Sequence, residues 1–190
     1  MPSMSGRNVQ LEVVPRKPHG RPIESDPYLT LMADAEGIGF VQCSDGVLVV
    51  PLTGDGHVLL AVERSPALDR DVLLLVGGSV EEGEPLEETA NRELQEELGW
   101  RAERIDFLGE LQPFKYLTAR QYVFLARGLA PGKLEGDERH PIHIREVPQD
   151  ALIQLCTGGE LHDAAAIAAL FLAQHFLGQE AESLAGRALQ

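Results

Sequence analysis

The sequence predicts an α/β (α+β) fold, and three observations carry the expectation. Short aliphatic runs separated by glycine and aspartate recur through the first half of the chain, the pattern of strands joined by tight turns. A single glutamate-rich segment with apolar residues four apart interrupts them, and an alanine-rich stretch with Ile167, Leu170 and Phe171 follows near the carboxyl end. Both have the period of helices. At 190 residues the chain has room for one domain and a small appendage, and strands enclosing a helix make a layered sandwich the natural architecture.

Taken in order, residues 9–14 suit a first strand, and residues 15–27, with four prolines and the basic Arg16, Lys17 and Arg21, read as a linker or arm. Strands are expected at 29–33, 38–42, 47–52, 58–62 and 72–76. Gly54-Asp55-Gly56 has the composition of a hairpin turn between two of them. A helix should run over 85–98: Pro85 suits its first position, Glu87 and Glu88 complement the positive end of the dipole, and Gly99 suits the carboxyl-terminal cap. Further strands follow at 105–111, 121–126 and 142–147, then helices at 150–156 and 161–177, with the tail after Gly178 frayed. The expected organisation is an amino-terminal β arm over 1–43, a main domain over 44–178 and a frayed tail over 179–190.

Charge and composition exclude several function classes. Lysine and arginine number 16 against 30 aspartate and glutamate, a net charge of −14, so the chain has no general field to attract nucleic acid or an anionic membrane. The longest strongly apolar stretch, 164–173, is about half of the ~20 residues a membrane span requires. No apolar signal core interrupts the prolines of the first 27 residues. Cys43 and Cys156 stand far apart and away from any cysteine–histidine cluster, so they read as reduced thiols of a cytoplasmic protein.

The negative charge is concentrated. Between positions 81 and 97 stand eight glutamates (81, 82, 84, 87, 88, 93, 96 and 97) and one arginine, Arg92, which gives −7, half of the net charge. On a helical wheel Leu86, Ala90, Leu94 and Leu98 form an apolar stripe, with Glu93 and Glu97 on its border and Glu96 further round the same flank. Like charges at these spacings repel, more so when partly buried. Arg92 lies on the far flank, where Glu88 is its expected partner, so the three carboxylates call for a cation; a hard divalent ion prefers clustered oxygen ligands. A glutamate run is ordinarily a solvated helix face. Here the carboxylates abut the apolar stripe, and Gly77-Gly78 and Gly83 precede the helix, where they let backbone approach an ion or a phosphate closely.

Gly78, five residues, Glu84, seven residues, Arg92-Glu93-Leu94, Gln95, Glu96-Glu97, Leu98 and Gly99-Trp100 match the Nudix box at every specified position. The chain resembles a Nudix hydrolase. Residues 159–164 leading into Ile167 are similar to the carboxyl-terminal helix of the ADP-ribose pyrophosphatase branch, and residues 134–138 to a loop of its ADP-compound hydrolases. The resemblance implies a mixed β-sheet sandwiched between helices, with a small amino-terminal β extension that contributes to a homodimer. It implies a Mg²⁺- or Mn²⁺-dependent pyrophosphohydrolase acting on ADP-ribose or a related ADP compound, a nucleoside-diphosphate-linked small molecule, with release of AMP. NADH, dinucleoside polyphosphates and other nucleotide sugars are alternative substrates, and a non-catalytic nucleotide sensor is the alternative from another class.

Carried over by position, Glu93, Glu96 and Glu97 are the metal ligands, joined by the main-chain carbonyl of Gly77. Arg92 orients them, and Glu84 stabilises the loop or caps the helix. Glu138 is the general base, with Glu135 next. Gly78, Arg64 and the aromatics Phe114 and Tyr116 are the candidate substrate contacts, while Trp100 belongs to the core. His140 and His143 have zinc-like spacing, but the alternation around them reads as a strand with exposed histidines. One departure stands out: Leu73-Leu74-Leu75-Val76 replaces the acidic residue and proline that many relatives carry before the box glycine.

Overall fold

The computed structural model describes residues 20–25, 28–136 and 141–188. The expected strand at 9–14 lies outside them. Ten strands and three helices are seen among the described residues: β1 (Arg21–Ser25), β2 (Thr30–Ala33), β3 (Gly39–Gln42), β4 (Gly46–Pro51), β5 (His57–Ser65), β6 (Arg70–Leu74), β7 (Val76–Ser79), α1 (Leu86–Leu98), β8 (Trp100–Leu111), β9 (Gln121–Pro131), β10 (His143–Pro148), α2 (Leu152–Thr157) and α3 (Ala164–Ala188).

The central sheet has the order β7-β4-β9-β8, parallel between β4 and β9 and antiparallel elsewhere. Its two middle strands read as near-continuous apolar runs because both faces are covered. Val47, Val49, Tyr122 and Phe124 face Leu86, Ala90, Leu94 and Leu98 of α1. The alternate residues Leu48, Val50, Val123 and Leu125 face Leu161, Ala166, Ala169 and Leu170 at the α3 side. The mixed sheet is thus sandwiched between helices, as expected, and a one-residue slip of β4 or β9 would exchange the two cores.

Two further three-stranded sheets flank it, β10-β5-β6 and β1-β2-β3. The Gly54-Asp55-Gly56 turn is present, but β4 and β5 share only the bridge Leu52–Val58 and then enter different sheets. The apolar run over 72–76 divides in the same way: β6 pairs with β5, and after Leu75 the chain crosses to pair β7 with β4.

Two expectations are corrected. The proline-rich stretch over 15–27 contains a strand, β1, paired with β2 from Arg21–Ala33 to Ser25–Thr30. All five of its residues are exposed, so main-chain pairing forms it and no hydrophobic period announces it. The chain also does not fray at Gly178, because α3 continues to Ala188. Its added turns carry helix formers such as Gln179, Glu180, Ala181, Leu184 and Ala185 that outweigh Gly178 and Gly186, and Glu180 is fastened to the sheet: its carboxylate accepts from Arg127 (2.6 Å) and Arg104 (2.8 Å), and both arginines also pair with Asp106.

The hydrogen bond from Arg127, and then that from Arg104, hold the Glu180 carboxyl below its ordinary value of 4.5. A depressed folded-state value stabilises the fold above the unfolded value, and that stability is lost as pH falls through the folded one. Glu180→Gln is therefore expected to lower the thermal midpoint at pH 7 by a few degrees, for a loss of about 1 kcal/mol. The difference from wild type should shrink as the pH is taken below 4.5, which thermal scans at several pH values would check.

Candidate active site

The glutamate-rich helix forms for the reasons read from its ends. Pro85, with φ −63° and ψ 138°, occupies the cap and the helix begins one residue later, at Leu86; Gly99 closes it with φ 74°. α1 has no basic side chain in its own last turn. Lys133, from the segment after β9, supplies one by donating from Nζ to the Glu96 carbonyl, where a cation offsets the negative end of the dipole.

Burial of the apolar stripe draws two carboxylates inward with it. Leu86, Ala90, Leu94 and Leu98 are at most 5% exposed, and Glu93 and Glu97 are only 7% and 8% exposed. They lie against β7, a strand whose middle is two glycines. A Cβ at Gly78 would stand 2.2–2.4 Å from the Glu93 carboxylate atoms, so glycine is what lets that carboxylate rest on the main chain. The Gly77 N–H donates to Glu97 Oε1 at 3.3 Å.

Arg92 pairs differently from expectation. Its guanidinium takes Glu84 in a fork, Nε to Oε1 at 2.9 Å and Nη2 to Oε2 at 3.0 Å. Nη1 also donates to Glu93 Oε1 and Glu96 Oε2, both at 2.9 Å, and Nη2 to the Ser79 carbonyl at 3.3 Å. The loop before the helix folds back and delivers Glu84, a better bidentate partner than Glu88, which is exposed in the first turn. Glu84, and then the charges of Glu93 and Glu84, hold the guanidinium well above its ordinary range. In return the Arg92 hydrogen bond keeps the Glu84 carboxyl below its ordinary value.

The donor set suits a hard divalent cation: carboxylate oxygens of Glu93, Glu96 and Glu97, partly desolvated beside a glycine strand that leaves room for close approach. Among the described residues no three His, Cys, Asp or Glu side chains converge on one ion-sized point, because Glu93 and Glu96 each turn an oxygen to Arg92. An open groove of about 500 Å³ along α1, lined by Glu87, Glu88, Asn91 and Gln95 and by Arg101 and Glu103 of β8, includes none of the three.

The remaining candidates divide. Leu111, Gln121, Gly46 and Ser79 lie in one row across the end of the central sheet, so the β8–β9 loop carrying Phe114 and Tyr116 emerges at the end where β7 leads into the box loop. Both aromatics are exposed, at 56% and 41%, with ring centroids 5.4 Å apart. Arg64 is placed in the other sheet, paired with Asp69 at 2.5 Å across the β5–β6 turn. Trp100 is half-buried against the α1 core. Glu138 and His140 lie outside the described residues; Glu135 is exposed.

Reading by sequence missed two supports of this end of the sheet. Asp45 and Arg120, each with a side chain only 13% exposed, form an ion pair in which Nε and Nη2 both donate to Asp45 Oδ2 while the Arg120 main-chain N–H donates to Oδ1, and the Asp45 carbonyl accepts the Val80 N–H at 3.0 Å. Gln112 braces the aromatic loop from within. Their partners are distant in sequence or are main-chain carbonyls, and neither kind leaves a spacing signal.

The NUDIX domain model matches residues 44–170. The ADP compounds hydrolase NudE of Escherichia coli (strain K12) is 31% identical over 134 residues, covering 70% of this chain and 72% of that protein. An ADP-ribose pyrophosphatase of Bacillus subtilis (strain 168) is 28% identical over 127 residues, 65% and 69% of the two chains. A crystal structure of an ADP compounds hydrolase superposes with a TM-score of 0.71 at 26% identity, covering 87% of this chain and 98% of that one. With the box residues gathered on α1 and β7 and the family model spanning the central sheet, α1, α2 and the start of α3, the chain belongs to the Nudix hydrolase family.

Proposed function

We propose that the protein hydrolyses the diphosphate of ADP-ribose or a related ADP compound, with Mg²⁺ or Mn²⁺, to AMP and a second phosphomonoester. The observation that carries the proposal is the pair Glu93 and Glu97, gathered at 7% and 8% exposure on the glycine strand, in a chain whose relatives are named for ADP compounds and ADP-ribose.

Water adds to one phosphorus, the bridging P–O bond breaks, and the two phosphates leave as monoesters. The obstacle is electrostatic: a diphosphate approaching a chain of net charge −14 is repelled, and so is a hydroxide nucleophile. Glu93, Glu96, Glu97 and the Gly77 carbonyl would hold a divalent cation, which would supply Lewis-acid polarisation and lower the pKa of a water. The chain's own part is to hold those oxygens in place. Arg92, locked by Glu84, fixes the orientation of Glu93 and Glu96, and Gly78 admits the Glu93 carboxylate to the main chain. Glu138 accepts the proton of the attacking water, and Phe114 and Tyr116 receive the base. A contact from Arg64 to the substrate has less support, since its guanidinium is taken by Asp69.

Homodimerisation through residues 1–43 and a cytoplasmic location complete the proposal. In support of the first, β1–β3 form a sheet of their own with Ile23, Leu29, Leu31 and Ile38 exposed. In support of the second, no helix among the described residues is long and apolar enough to cross a membrane.

The test is a panel of ADP-ribose, NADH, a diadenosine polyphosphate and GDP-mannose, with products separated by chromatography. Mg²⁺-dependent formation of AMP and ribose 5-phosphate from ADP-ribose, abolished by EDTA, is expected. Nucleotide binding without hydrolysis of any of the four would point to a sensor instead.

A further inference from the structure

Gln112 follows the last residue of β8 and is exposed. An exposed amide ordinarily bonds to water, yet this one turns back into its own loop. Its Nε2 donates to the carbonyls of Leu117 (2.9 Å) and Ala119 (3.0 Å), with a longer contact to that of Phe114 (3.4 Å). One side chain thereby ties three carbonyls of the 113–119 main chain together. The outside of the loop is fastened as well. The Val41 N–H donates to the Tyr116 carbonyl and the Thr118 N–H to the Val41 carbonyl, at 2.8 and 3.0 Å. Thr118 Oγ1 both accepts from the Cys43 N–H and donates to the Cys43 carbonyl, each at 3.1 Å. What this bracing presents to solvent is the edge-to-face pair Phe114 and Tyr116.

Exposed aromatics are costly to hold still unless they have something to meet, and a rigid aromatic surface stacks on any nucleobase with little entropy left to lose. The loop also stands at the right place. It leaves the end of the central sheet that carries β7, and at about 4.8 Å per strand the aromatic loop and the glycine strand are separated by roughly 10–14 Å. A nucleotide with its diphosphate at the carboxylates can reach across that gap with its base.

The geometry points to Gln112 as a positioning residue for nucleobase recognition, acting through the loop that carries Phe114 and Tyr116 and touching no substrate itself. The inference rests on the nucleotide-hydrolase reading above. It extends that reading by making affinity for the base, rather than turnover, depend on a side chain outside the Nudix box.

The test compares wild type with Gln112→Met, which keeps the stem and removes the donors, and Gln112→Glu, which keeps the shape and replaces the donor with an acceptor. ADP binding is measured by calorimetry with Mg²⁺ and the α,β-methylene analogue of ADP, whose bridging carbon prevents turnover, alongside Mg²⁺-dependent kinetics on ADP-ribose, inhibition by inorganic pyrophosphate and unliganded thermal midpoints. The expected result is that both variants weaken ADP binding and raise KM by about 5- to 30-fold, the equivalent of losing one or two hydrogen bonds. kcat should stay within about twofold, and pyrophosphate, which has no base, should inhibit all three proteins equally. Because the side chain is exposed, the variants should fold; if Gln112→Met does not, Gln112→Glu and the protection of amides 113–119 from hydrogen exchange on adding ADP to wild type carry the test.

Unchanged ADP affinity and KM in a folded variant would overturn the inference while leaving the nucleotide-hydrolase reading intact. Equal losses for ADP and pyrophosphate, or a fall in kcat that tracks the thermal midpoint, would reduce Gln112 to a structural brace and overturn it too. A wild type that neither binds ADP nor cleaves ADP-ribose would overturn both.

Discussion

Glu97→Gln is expected to lower turnover of ADP-ribose by about 100-fold or more while the thermal midpoint moves by no more than a few degrees. The substitution keeps the shape of the side chain and its acceptor toward the Gly77 N–H, which lies 3.3 Å from Glu97 Oε1. It removes one negative charge from a site 8% exposed, where charge is worth far more than in water. Two opposing effects bear on stability. Loss of a carboxylate from a like-charged helix flank relieves repulsion with Glu93, and an amide in place of the carboxylate must find new partners for its N–H groups. Steady-state kinetics with saturating Mg²⁺ and a thermal scan separate these from the loss of chemistry. A variant that keeps wild-type turnover would remove Glu97 from the machinery.

The second large effect separates two neighbouring glycines. The nearest atoms that a methyl group at position 78 would meet are the far end of the Glu93 side chain, at 2.2–2.4 Å. A flexible carboxylate can swing away, so Gly78→Ala should fold with a thermal midpoint near wild type. It should lose activity by about 10- to 100-fold, the usual cost of displacing a group that shapes a metal site. At position 77 the methyl group would stand 2.4 Å from the Val47 carbonyl oxygen, which belongs to the paired main chain of β4 and cannot swing. Gly77→Ala should therefore cost about 1–3 kcal/mol of stability through a shift of the β4–β7 pairing. Thermal midpoints and kcat measured on both variants check the contrast. Equal destabilisation of the two would mean that Glu93 is not held against the strand as described.

What could be read from the sequence follows a physical line. The strands of the central sheet were legible because burial on both faces writes them as aliphatic runs, and α1 was legible at both ends because Pro85 and Gly99 carry its boundaries in their own backbone preferences. β1 was not legible, since an exposed strand held by main-chain pairing leaves no mark on side-chain choice. The extension of α3 past Gly178 rests on Glu180 meeting Arg104 and Arg127, 76 and 53 residues away, and no local pattern encodes a partner at that distance. In the site, the helical period puts Glu93 and Glu97 beside the apolar stripe, and both are buried with it. It missed the loop that folds Glu84 onto Arg92, because a wheel describes neighbours along a helix and nothing that returns to it. Asp45–Arg120 and Gln112 went unseen for the same reason.

The carboxylates on α1, leaning on a strand of glycines, are proposed to hold the ion that a diphosphate needs. Locating Mn²⁺ by anomalous scattering in crystals of the protein tests it most directly. The expected result is an ion ligated by oxygens of Glu93 and Glu97, with Arg92 kept on Glu84. Mn²⁺ bound elsewhere, with no oxygen of Glu93 or Glu97 among its ligands, would rule that role out.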